Sequence, residues 1–135
     1  MTTKEDLESY LIRMGVDFEE LDDGLWLLKP AEGETNVVLN YTPPVVLLRL
    51  KVMNLPADAD NQKLGGFYRR LLELNANDIV HGSYGIEQND IVISDALQLE
   101  DLDFSELQSS YESMVLAAAS HMPVLAELVP VAHEG

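Results

Sequence analysis

The run His81-Gly82-Ser83-Tyr84-Gly85 sets a hydroxyl two residues from an imidazole, among glycines. These are the ingredients of an acyl-transfer nucleophile and its general base. A nucleophile elbow, however, needs the order G-x-S-x-G on a strand-to-helix turn, and here the serine is misplaced and a second strand-like segment follows. No distant acid is placed to orient the imidazole, so the pair lacks the third member that makes such chemistry work. The run is expected to be architecture: Val80, Tyr84 and Ile86 facing a core, His81 and Ser83 on the opposite face, and the glycines permitting strand twist or a bulge.

Other constellations fare no better as chemistry. Asp58-x-Asp60-x-Gln62 opens like a calcium loop, but Lys63 stands where glycine is required and Arg69 where the closing glutamate belongs, so a helix cap is expected. Gly65-Gly66 lacks the lysine and spacing of a phosphate loop. His81, His121 and His133 show no paired metal-ligand spacing, and the chain has no cysteine. The acids of Glu19-Glu20 with Asp22-Asp23, and of Glu100-Asp101 with Asp103, read as solvated turns. Asn40-Tyr41-Thr42 matches a glycosylation sequon only formally. No enzyme activity, metal or cofactor is expected.

Charge excludes partners more sharply than it names them. The chain has a formal net charge of −16 in 135 residues. All eight basic residues precede residue 71 while the acids divide evenly around it, giving about −4 before that point and −12 after. Such a surface repels nucleic acid, whose binding rests on cations that displace counterions, and anionic lipid headgroups. No apolar run approaches the length of a membrane span, which is about 20 residues. The start, Met1-Thr2-Thr3-Lys4-Glu5-Asp6, lacks the features of a secretory signal, and the cytoplasm is the expected compartment.

The elements that position these residues follow from periodicity. A capping-box pattern at Thr2/Glu5 or Thr3/Asp6 precedes Leu7, Tyr10, Leu11 and Met14 at helical spacing, with Gly15 as a stop. Val16–Leu21 and Leu25–Leu28 flank the turn Asp22-Asp23-Gly24 as a hairpin. Two more strands, Thr35–Tyr41 and Val45–Leu55, are separated by Thr42-Pro43-Pro44. In Val45–Val52 the even positions are all apolar, whereas the odd face changes from Val45 and Leu47 to Arg49 and Lys51. A second helix repeats Leu64, Phe67, Tyr68, Leu71, Leu72 and Leu74 up to Asn75, and a hairpin over Ile79–Ile93 turns at Gln88-Asn89-Asp90. The longest helix starts at the capping pair Asp103/Glu106, carries Phe104, Leu107, Tyr111, Met114, Ala118, Met122 and Leu125, and should kink or break before Pro123. The order is α-β-β-β-β-α-β-β-α, an α+β fold with helices packed on a curved antiparallel sheet. One domain is expected over residues 1–129, with 130–135 a loose tail.

Phe67-Tyr68-Arg69-Arg70-Leu71-Leu72-Glu73-Leu74-Asn75, Gly82-Ser83-Tyr84-Gly85-Ile86, Asp90-Ile91-Val92-Ile93 and the long terminal helix give the chain a resemblance to the YbjN-like family. That family is related in fold to the class I (Tir-type) type III secretion chaperones of bacteria. The resemblance covers nearly the whole chain and implies a small, acidic homodimer without enzymatic activity that holds a segment of a partner polypeptide. A regulatory or stress-associated domain that contacts a folded partner is the alternative. The residues suggest where a polypeptide would lie: Val45, Leu47, Arg49 and Lys51 on one strand face, extended by Trp26, Tyr41 and the Pro43-Pro44 loop. For a dimer interface, Gly65 and Gly66 permit close approach, and Arg69 and Arg70 suit an acidic neighbour across a twofold axis. The edge of the second hairpin is a further candidate.

Overall fold

A computed structural model describes residues 1–32, 34–55 and 61–128. The Asp58/Asp60 cap, His133 and the 130–135 tail lie outside the described residues. The chain runs α1 (Lys4–Met14), β1 (Asp17–Asp22), β2 (Leu25–Lys29), β3 (Val37–Thr42), β4 (Val45–Asn54), α2 (Asn61–Asn77), β5 (Ser83–Glu87), β6 (Asp90–Gln98) and α3 (Phe104–Leu128). The six strands form one curved antiparallel sheet in the order β1-β2-β3-β4-β6-β5. The expected fold class and element order are both present.

Local chemistry sets the element ends. At α1 the Thr3/Asp6 box forms reciprocally: Asp6 N–H donates to Thr3 Oγ1 at 3.1 Å and Thr3 N–H donates to the Asp6 carboxylate at 3.0 Å. Thr2 does something else, donating its buried hydroxyl to the Leu102 carbonyl at 3.0 Å and tying the N-terminus to the loop before α3. Gly15 closes α1 with φ +73°, a left-handed value that favours glycine. At α3, Asp103 accepts the Glu106 N–H at 2.8 Å.

Alternation then decides the layers. Val46, Leu48, Leu50 and Val52 of β4 are buried, and so are their cross-strand partners Leu39, Val37 and Ile93. Against this face pack Leu7 and Leu11 of α1, Phe67 and Leu71 of α2, and Leu107, Met114 and Ala118 of α3. The helices thus share one side of the sheet, and among the described residues the other side carries none.

Three local expectations need correction. Helix α2 continues to Asn77 instead of stopping at Asn75, with Leu74 O accepting from both Asp78 N–H and Ile79 N–H. Val80 and Ile86 do not face the core: they are 79% and 51% exposed, and only Tyr84 of that set is buried. Val80 precedes β5, which begins at Ser83, and β5 is an edge strand whose far end carries Ile86 away from the packed core. Pro123 does not interrupt α3, which runs to Leu128 with Pro123 exposed, so of the expected kink or break only the break is excluded.

Candidate protein-binding surface

Because side chains alternate along a strand, the helix-free face of the sheet can be read from register. Leu25 and Leu27 of β2 pair with Asn40 and Val38 of β3, which pair with Leu47 and Arg49 of β4, which pair with Ala96 and Ser94 of β6. All of these point away from the helices. Leu25, Leu27, Val38, Val45 and Leu47 are partly exposed, and together they make an apolar band across three strands. A shallow depression of about 640 Å³ lies there, lined by Leu25, Val38, Asn40, Leu47, Arg49 and Ser83.

The cations on this face are engaged. Arg49 Nη1 donates to Glu87 at 3.0 Å, Lys51 Nζ lies 3.5 Å from Asp90, and Lys29 Nζ donates to Glu19 at 3.0 Å. All three are exposed pairs, each worth about 1 kcal/mol or less, so they are available to exchange partners. The arrangement offers apolar contact flanked by exchangeable charge, and suits non-covalent binding of a chain with mixed character.

The predicted contact residues divide. Val45, Leu47, Arg49 and Lys51 share this face as expected. Trp26 does not: it is wholly buried on the helix side, because it pairs with Leu39 in the opposite phase of the alternation. That burial removes it from the surface, and among the described residues its indole Nε1–H has no acceptor. Tyr41 also lies on the helix side, packed at the margin of the core. The residues that take their place, Leu25, Leu27 and Val38, carry the same alternation signal, but only strand register shows that they converge with Leu47.

The two sheet edges differ in chemistry. The β1 edge, Asp17-Phe18-Glu19-Glu20-Leu21-Asp22, is mostly acidic, and such charge discourages pairing with another strand. The β5 edge carries one acid, Glu87, beside an apolar hollow of about 230 Å³ lined by Tyr68, Leu71, Leu72, Asn75, Tyr84 and Ile86. Leu72 is 68% exposed there. Gly65 and Gly66 lie exposed on α2, with open space where a side chain would stand. Arg69 and Arg70 both reach Glu73 of their own helix, at 3.4 and 3.6 Å.

The histidine–serine run is taken apart by the fold. Ser83 faces the open side of the sheet, while Tyr84 turns inward and meets His121 of α3, its hydroxyl 2.8 Å from Nδ1. His121 Nε2 lies 3.3 Å from the Asp78 carboxylate. The imidazole thus lies between the Tyr84 hydroxyl at one ring nitrogen and the Asp78 carboxylate near the other. Burial, with the Asp78 charge second, raises the Tyr84 pKa above its ordinary value, so the hydroxyl keeps its proton. The network ties the end of α2, strand β5 and α3 together. Among the described residues no group of three or more His, Asp or Glu side chains could hold a metal ion, and no helix is long and apolar enough to cross a membrane.

Comparison with solved structures agrees with this architecture. The chain is similar to one in the heterodimeric ExoU–SpcU complex of the Pseudomonas aeruginosa type III secretion system, with TM-score 0.70 and 15% identity over 90% of this chain and 98% of that one. It is similar to a chain of the HopA1–SchA chaperone–effector complex, with TM-score 0.62 and 12% identity over 87% and 90%. It is similar to YbjN from E. coli, with TM-score 0.62 and 12% identity over 96% of each. At these identities the likeness is one of fold. A sequence comparison with curated proteins finds no match. The CesT_Tir_1 family model matches residues 1–130, nearly the whole length, and the chain belongs to that family.

Proposed function

We propose that this chain is a non-enzymatic, homodimeric, chaperone-like module of the cytoplasm that holds a segment of a partner polypeptide against the open face of its sheet. One observation carries the proposal: a six-stranded sheet places its helices on one side and leaves Leu25, Leu27, Val38, Val45 and Leu47 partly exposed on the other. A solvated sheet face normally alternates to polar residues, so an apolar band retained there fits a surface that is covered in use. Membership of the CesT_Tir_1 family supports the same reading, as does likeness to two assemblies of unlike polypeptides, ExoU–SpcU and HopA1–SchA.

For the homodimer, the exposed α2 surface at Gly65, Gly66, Arg69 and Arg70 and the neighbouring β5 edge with Leu72 and Ile86 are the proposed contact. Strand β5 is an edge strand whose Tyr84 backbone is held by the Asn75 side chain of α2, and the hollow beside it suits apolar side chains. The test is affinity capture from the native cell with the parent chain and with a Val45→Asp/Leu47→Asp variant, alongside sedimentation of each. Polypeptides held by the parent and lost from the variant, with both chains dimeric, are expected. Equal capture by the two chains would remove the sheet face from the function, and a monomer at high micromolar concentration would remove the dimer.

A further inference from the structure

Between Glu112 and Glu127 the chain has no aspartate, glutamate, lysine or arginine, the longest such interval in α3. The inward residues of this stretch, Met114, Val115, Ala118 and Leu125, belong to the core. The outward ones are apolar or small as well: Leu116 is 67% exposed and Val124 43%, with Ala119, Ser120 and Pro123 also exposed. A helix that is apolar on both faces is expected to be covered on both, and no described element covers this one. Its flanks are hollow on either side of the ridge that Leu116 forms. One cleft of about 270 Å³ is lined by Thr35, Val115, Ala119, Met122, Pro123 and Ala126. Another, of about 370 Å³, is lined by Asp78, Val80, Ser113, Leu116, Ala117 and His121.

The geometry points to a second docking surface, the outward face of α3 from Leu116 to Val124, whose occupant is an amphipathic helix of a partner polypeptide with an apolar stripe bordered by lysine or arginine. Shape selects a helix: a ridge between two grooves is what another helix interdigitates with, and small Ala119 and Ser120 at its centre permit close approach. A strand would need unpaired sheet backbone, which a helix face does not supply. Pro123 has no N–H, so the Ala119 carbonyl loses its usual helical donor.

Charge selects the basic borders. Glu112 and Glu127 stand at the two ends of the stripe, Glu34 in one cleft and Asp78 in the other. Acids dominate the charges that frame the apolar face: the one cation lining the depression beside Leu116 and Glu112 is Lys29, and its ammonium is paired with Glu19 at 3.0 Å. A second copy of this chain would bring those acids against their own equivalents, at −16 per copy, and an anionic membrane would meet the same repulsion. A basic-bordered helix gains from each of them. This surface lies on the opposite side of the molecule from the open sheet face and does not depend on it.

The experiment uses an 18-residue fluorescein-labelled peptide of leucine and lysine, with leucine at three- and four-residue spacing, titrated with the full chain in 150 mM salt and followed by anisotropy. A scrambled peptide of the same composition is the control. Saturable binding of the patterned peptide is expected, at least tenfold tighter than the scrambled one. Leu116→Glu/Val124→Glu should weaken it at least tenfold, and Glu112→Lys/Glu127→Lys should weaken it severalfold and flatten its salt dependence. Both pairs are exposed, so each variant should melt like the parent by circular dichroism. Val45→Asp/Leu47→Asp should bind the peptide as the parent does. Equal affinity for the scrambled peptide, or unchanged affinity on altering Leu116 and Val124, would overturn the inference. So would a fall in oligomer size caused by that same pair, which would assign the face to a second copy.

Discussion

Replacing Gly82 and Gly85 one at a time separates architecture from chemistry in the His81–Gly85 run. Gly82 has φ +84°, and a Cβ built there would stand 2.7 Å from the Ser94 carbonyl oxygen of β6. Alanine in left-handed backbone costs about 1–3 kcal/mol. Displacing a paired β6 backbone to relieve the contact adds a similar amount, since forcing atoms into packed structure costs about 1–3 kcal/mol. Gly82→Ala should therefore destabilise the chain by about 2–6 kcal/mol. Gly85 has an ordinary φ, and nothing lies within 4 Å of where an alanine methyl group would stand, so Gly85→Ala should be neutral or stabilising, by up to about 1 kcal/mol. His81→Ala and Ser83→Ala should stay within about 0.5 kcal/mol of the parent, as surface changes do. Urea denaturation measures all four, with midpoints compared at constant m. If Gly82→Ala left stability unchanged, or Gly85→Ala cost as much, the close approach of this run to β6 would not be what requires glycine.

Other consequences follow from named contacts. Trp26→Ala should cost about 3–5 kcal/mol in urea, the range for a buried large aromatic side chain, because the indole is core and not contact surface. Tyr84→Phe should cost about 1–2 kcal/mol, since it removes the hydroxyl that His121 Nδ1 meets and leaves that nitrogen without its partner. Asp6 has its carboxyl held below the usual 3.8, first by the Thr3 backbone N–H and then by the Thr3 side chain. A depressed folded pKa gives stability that is present above the unfolded value and lost as pH falls through the folded one. The advantage of the parent over Asp6→Asn in thermal melts should therefore be constant near neutrality and shrink below about pH 4.

Where one rule governs a segment, the sequence was enough to place it. The even positions of β4 are apolar and buried, and the odd ones pass from Val45 and Leu47 to Arg49 and Lys51 on the open face as read. The stripe of α3 likewise packs at Leu107, Tyr111, Met114, Ala118 and Leu125. Misreadings came where a residue's phase or neighbours depended on distant pairing. Trp26 lies between Leu25 and Leu27, and only its register with Leu39 shows that the tryptophan is inside and the leucines outside. Ile86 continues the alternation of Tyr84, but an edge strand leaves its far end uncovered. The Tyr84–His121–Asp78 network joins residues up to 43 positions apart, and no local pattern announces it. Nor did the helical spacing of α3 reveal its outer face, since attention to the inward stripe passes over Leu116 and Val124.

The central claim is that the open sheet face holds another polypeptide. It is tested most directly by placing a photo-crosslinking amino acid at Val38 or Leu47, with Ser9 on the exposed side of α1 as control, and irradiating cells that express the chain. Crosslinks from positions 38 and 47 to a second polypeptide, and none from position 9, are the predicted result. Crosslinks from position 9 alone, or none from 38 and 47 while a partner still co-purifies, would contradict it.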